Sequence, residues 1–148
     1  MRRTLGYIAV AIVLFLSCSN EDEGYQPTSR ALAIPQIFSQ NIIPPIIPPD
    51  NPQTVEGVAL GKRLFFDPIL SGDGTQACAS CHSPQAAFSD NNATSTGIDG
   101  ISGTRNAMPI FNLAWNYNER FNWDGNALSL ERQAEEPVEN PIELHRDW

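Results

Sequence analysis

Cys78-Ala79-Ser80-Cys81-His82 is the stretch whose residue types and spacing can do chemistry. Two thiols about one helical turn apart can each add to one vinyl group of a single haem, and C-x-x-C-H is the attachment signal for haem c. The adjacent histidine then lies beneath the iron as an axial ligand through one ring nitrogen. Its other ring nitrogen is normally held by a hydrogen bond that fixes the tautomer. Two rival readings are a redox dithiol and half a zinc site. The dithiol lacks its usual alternating strand–helix context, and zinc needs a further thiol or histidine nearby. Only Cys18 and His145 remain, both distant in sequence.

The elements that must position this motif read as helices and loops. Asn51-Pro52 suits a helix N-cap followed by proline at the first helical position. Val55, Val58, Ala59, Lys62 and Phe65 recur at helical spacing, and Asp67-Pro68 stops the helix. Ser71-Gly72-Asp73-Gly74 is a turn, and a short helical segment carries Cys78 to His82. Residues 89–103, rich in Ser, Asn, Asp, Thr and Gly, form a long loop, which in a small domain is usually functional. A last helix is predicted from about Ser129 to Glu136, ending at Pro137. No strand alternation occurs, so the expected fold is mainly α, small and loop-rich. Leu64, Phe65, Phe66, Ile69, Leu70, Phe88, Ile110 and Phe111 are the expected wall of a haem pocket.

The flanks and the composition narrow the setting. A chain of 148 residues with 41% hydrophobic content holds one modest domain and is not wholly disordered. Its net charge of −8 argues against nucleic acid or an anionic membrane surface as the main partner. Arg2 and Arg3 precede an apolar run from Leu5 to Leu16, too short to span a bilayer and ordered like a secretory signal over residues 1–17. Phe15-Leu16-Ser17-Cys18 resembles a bacterial lipobox, in which Cys18 would be lipidated; an ordinary cleaved signal is the alternative. Residues 18–50 then read as an acidic and Pro-rich tether, with Ile42, Ile43, Ile46 and Ile47 placed to lie on apolar surface. The expected location is outside the cytoplasm, periplasmic or at the outer surface, with membrane contact only through the lipid.

Beyond the motif, a longer pattern carries a family likeness. Leu60-Gly61-Lys62-Arg63-Leu64-Phe65-Phe66-Asp67, Leu70-Ser71-Gly72-Asp73-Gly74 and the C-x-x-C-H resemble the bacterial dihaem cytochrome c peroxidases and their MauG-type relatives. The likeness continues through Phe88-Ser89-Asp90, Gly103-Thr104-Arg105-Asn106, Trp123-Asp124-Gly125, Gln133 and Pro137-Val138-Glu139-Asn140-Pro141-Ile142-Glu143. It covers about residues 50–148 in the family's order. The resemblance implies a cytochrome-c-like haem domain over residues 51–148, the peroxide-reacting one of two, with the chain ending before the second. It implies that Cys78 and Cys81 anchor the haem and that His82 is the proximal ligand. It also implies Glu143 as acid–base catalyst, Gln133 beside the peroxide, Trp123 between the haems and Asn106 at a calcium site. Hydrogen peroxide would be the substrate, and a small cytochrome or cupredoxin the electron donor.

Departures from the family pattern keep other readings open. Residues 83–144 contain no histidine to serve as a releasable distal ligand, and Asn126 stands where arginine is common. The alternatives are a single-haem electron-transfer cytochrome, with Met108 or His145 as sixth ligand, and a non-catalytic haem-binding lipoprotein or fragment.

Overall fold

The computed structural model describes residues 24–147. The signal segment 1–17, the lipidation candidate Cys18 and the acidic run 19–23 lie outside the described residues. Among the described residues the regular structure is helical: α1 (Gln36–Ser39), α2 (Val55–Phe66), α3 (Cys78–Cys81) and α4 (Leu130–Glu139), with 3-10 turns at Pro68–Leu70, Pro84–Ala86 and Leu113–Trp115. β-Pairing is confined to isolated bridges, such as Ser83 with Ser89 and Thr96 with Ser102. The mainly helical, loop-rich reading stands.

Two helix ends differ from expectation. Thr54, not Asn51, caps α2, its hydroxyl accepting from the Gly57 amide at 3.0 Å. The reason is tertiary. Arg30 donates its amide to the Gln53 carbonyl (2.9 Å), and Val55 donates to the Thr28 carbonyl (2.9 Å), so residues 53–54 are held extended against an earlier segment. Asn51 instead donates through Nδ2 to Glu131 at 2.7 Å, tying the approach of α2 to the first turn of α4. At the other helix, Ser129 caps as expected, but α4 runs through Pro137 to Glu139. A proline already has a helical φ, so near a helix end it forfeits one amide donor without turning the chain. Beyond α2 the expected stop holds: Asp67 leaves the helical conformation and its side chain caps the following 3-10 turn.

Segment 24–50 runs along the domain. Ile46 donates its amide to the Ala114 carbonyl at 2.7 Å, while Trp115 Nε1 (3.1 Å) and the Tyr117 hydroxyl (2.7 Å) both donate to the Ile43 carbonyl. Among the described residues the buried apolar core is small: Ala107, Ala127, Val138 and Leu144. Around it, α2 packs on α3, which carries the two cysteines.

Candidate functional site

α3 is one turn long and holds Cys78 and Cys81 at its two ends, with His82 as the residue that leaves it. Both cysteines are free and half-buried, and burial pushes both thiols up. A redox dithiol needs a lowered thiol pKa, so this environment disfavours that use. A zinc site is equally unsupported, because the described residues contain no group of three or more His, Cys, Asp or Glu side chains poised around a metal.

His82 is set by the turn that follows it. The Phe88 amide donates to the Ser83 carbonyl (2.8 Å), and the Ser83 amide donates to the Ser89 carbonyl (2.9 Å), closing a short loop. Closure forces Ala87 and Phe88 into the left-handed region, at φ 55° and 58°, a conformation few side chains favour. What the strain secures is the Phe88 carbonyl, which lies 3.1 Å from His82 Nδ1. With Nδ1–H donating there, Nε2 is the nitrogen left with a lone pair for a metal. Haem fits this arrangement: two free thiols one turn apart, an imidazole of fixed tautomer, and an aromatic surface beside them. Phe65 meets Phe66 edge-on (4.9 Å, 87°) and lies 6.2 Å from Phe88. Phe66, Ile69, Phe88 and Phe111 remain exposed on the expected pocket wall, while Leu64, Phe65, Leu70 and Ile110 are half-buried.

Glu143 reaches this site from the far end of the sequence. After α4 the chain turns at Asn140: the Glu143 amide donates to the Asn140 carbonyl (3.0 Å) and Asn140 Nδ2 donates to Glu143 Oε1 (2.8 Å). The Glu143 side chain is exposed, yet partial desolvation by its surroundings pushes its pKa up. The Asn140 hydrogen bond and the charge of His82 act in the opposite direction, and the charge of Glu136 adds to the rise. Glu143 in turn helps to raise the Cys81 thiol, behind burial and the charge of Asp90. Glu143 is therefore within electrostatic reach of both Cys81 and His82.

The remaining predicted residues fall elsewhere. Gln133 is half-buried on α4, and its side chain makes no hydrogen bond among the described residues. Trp123 is 55% exposed, and its indole donates to the Asn106 carbonyl at 3.1 Å, so these two candidates adjoin each other. Met108 is half-buried, and His145 is engaged by Asp99, with Nδ1 2.6 Å from the carboxylate. Asn126 accepts from Asn122 at 2.8 Å. Sequence reasoning missed two supporting groups, the Phe88 carbonyl and the Asn140 side chain. The Asn-Pro pair at 140–141 is a turn signal that could have revealed the second.

Fold and site together define a loop-rich helical domain that presents a C-x-x-C-H motif within the field of a partly desolvated carboxylate. Residues 55–148 match the family described as Di-haem cytochrome c peroxidase. The chain belongs to that family. It is 46% identical over 98 residues to the methylamine utilization protein MauG of Methylorubrum extorquens, covering 66% of this chain and 27% of the relative. It is 45% identical over 101 residues to the cytochrome-c peroxidase IdrP1 of a Pseudomonas species, covering 68% and 26%. Among solved structures it resembles a MauG-like protein associated with microbial copper homeostasis, with a TM-score of 0.68 and 37% identity over 78% of this chain and 33% of that one. The chain thus spans about a quarter of the length of these curated relatives.

Proposed function

We propose that residues 51–148 form the peroxide-reacting haem domain of an exported di-haem peroxidase. Residues 1–17 would be its signal, Cys18 its lipid anchor and residues 18–50 its tether. Cys78 and Cys81 would hold one haem c by thioether bonds and His82 would ligate its iron. When bound, that haem supplies the iron through which electrons from a small cytochrome or cupredoxin reach hydrogen peroxide. Each peroxide takes up two electrons and two protons and leaves as two waters. A second haem, implied by the family's description, would lie outside the matched residues. Asn106, beside Trp123, would contribute to calcium binding where the two halves meet.

The chain's own task is the proton. Glu143 takes it from one peroxide oxygen and returns it to the other, so that the leaving group is water rather than hydroxide. Asn140 aims the carboxylate through its 2.8 Å hydrogen bond. Gln133 would orient the peroxide, and Trp123 would lie on the electron path. The single observation that supports this reading is that hydrogen bonds from Ile98 to the Glu143 carbonyl and from Gly72 to the Leu144 carbonyl hold the Glu143 turn against the segments on either side of the C-x-x-C-H motif. Replacing Glu143 with Gln keeps an acceptor for Asn140 and removes the titrating group. Peroxide turnover should fall by about 10²- to 10⁴-fold with haem content intact. Unchanged turnover, measured with a saturating donor, would remove Glu143 from the mechanism.

A further inference from the structure

The loop 89–103 follows the C-x-x-C-H motif, pairing with it through the Ser83 amide and the Ser89 carbonyl (2.9 Å), and one of its glycines is buried against the backbone of the proposed catalyst. Gly97 is the one buried residue among positions 89–103. A methyl group at Gly97 would overlap the Ile142 carbonyl oxygen and stand 2.6 Å from the Glu143 carbonyl oxygen and 2.8 Å from its Cα. All three obstacles are backbone, so no rotamer change relieves the clash. The next residue completes the contact: the Ile98 amide donates to the Glu143 carbonyl at 3.0 Å. Gly97 is itself pinned, its amide donating to the Ile101 carbonyl and its carbonyl accepting from Gly100, both at 3.1 Å.

Two further grips act on the same turn. Gly72 donates its amide to the Leu144 carbonyl at 2.7 Å, and a methyl group there would overlap the His145 carbonyl oxygen. Asp99 holds the His145 ring at 2.6 Å from the loop side. The segment carrying Glu143 is therefore clasped between the loop after the haem motif and the turn after α2.

We infer that Gly97, supported by Gly72 and Asp99, is a positioning residue for Glu143. It lets the 95–102 turn lie directly on the Glu143 backbone and thereby fixes where the carboxylate stands. This rests on the acid–base role given to Glu143 above. A side chain at position 97 would push the Glu143 backbone away, and a displacement of about 1 Å can cost up to about 100-fold in rate.

The test uses the haem-loaded protein and two readouts, peroxide turnover and the rate of cyanide binding to the ferric form. Hydrogen cyanide binds as its anion, so it must lose a proton on entry, and a misplaced base slows that step. Gly97→Ala is expected to slow both rates about tenfold with haem content retained. In a Glu143→Gln background it should add nothing, because a positioning residue has no effect once its client is gone. Gly61→Ala, on the exposed face of α2 where a methyl group meets nothing within 4 Å, should leave both rates unchanged. Equal slowing by Gly97→Ala in both backgrounds, or none in either, overturns the inference. Slowing by Glu143→Gln without slowing by Gly97→Ala overturns it while leaving the role of Glu143 standing. Parental rates for Glu143→Gln alone would remove that role and the inference with it. Should Gly97→Ala fail to load haem, Asp99→Asn, which adds no volume, decides by the same criterion. A loss that vanishes in the Glu143→Gln background supports the grip, and an additive or absent loss overturns it.

Discussion

A carboxyl group that must accept and return a proton near neutrality works best when its pKa is raised toward the working pH. Partial desolvation moves Glu143 in that direction. The same shift has a consequence for stability. A pKa raised in the folded state means that folding favours the protonated form relative to the unfolded chain, whose glutamate titrates at about 4.3. The contribution of Glu143 to stability is then full below that ordinary value and is lost as the pH rises through the raised one. Glu143→Gln removes this loss while keeping an oxygen for Asn140 Nδ2 to donate to. Thermal melts of the haem-loaded protein should show the variant unfolding at higher temperature than its parent at about pH 7, and the two converging at about pH 4. An equal difference at both pH values would mean that desolvation does not raise this carboxyl. The trade is familiar at functional sites, where a group tuned for chemistry sits where it costs stability.

At the scale of elements, what was legible in the sequence was local and what was hidden was long-range. The C-x-x-C-H turn, the end of α2 at Asp67 and the cap of α4 at Ser129 are set by residues within a few positions, and all were readable. The start of α2 was not, because Thr28 and Arg30 bond to the strand-like residues 53–55 and move the cap from Asn51 to Thr54. The role of Gly97 was hidden for the same reason: the atoms that exclude a side chain there belong to Ile142 and Glu143. Gln133 and Trp123 could be named only through the family resemblance, since neither differs in type or spacing from an ordinary helix or loop residue. The docking of segment 24–50 yields its own prediction. The Ile43 carbonyl accepts from both Trp115 Nε1 and the Tyr117 hydroxyl, and Phe at both positions removes the donors while keeping aromatic bulk. The paired substitution Trp115→Phe with Tyr117→Phe should speed limited proteolysis within residues 40–50 several-fold. Cleavage elsewhere and the haem spectrum should be unchanged, since local opening follows the contacts that hold a segment down. Unchanged cleavage would mean that the Ile46 bond to Ala114 suffices to hold it.

For the whole molecule the governing quantity is how little apolar surface the described residues cover by themselves. Two of the four buried hydrophobic side chains are alanine, and a fully buried valine or leucine contributes only about 1.5–3 kcal/mol. Ordering each residue's backbone costs about 1–2 kcal/mol, so a core of that size does not stabilise a loop-rich domain. Large apolar side chains stay exposed instead, among them Phe66 at 52%, Ile69 at 56% and Phe111 at 51% on the expected pocket wall. A flat macrocycle tethered at Cys78 and Cys81 would lie on that surface and become the core the chain otherwise lacks. Folding and haem attachment should therefore be coupled, because a group held only by the folded state stabilises it. The chain produced with haem attached should melt in one cooperative transition. The same chain produced without haem should melt without a sharp transition and bind a hydrophobic dye such as ANS several-fold more strongly, as loosely packed states with exposed apolar surface do. The aromatic near-ultraviolet dichroism should separate the two as well, because Phe65, Phe66 and Phe88 would lose their fixed packing. Coincident melts and equal dye binding would show that the helices and loops hold themselves together, leaving the exposed aromatic wall to be explained by contact with another protein surface.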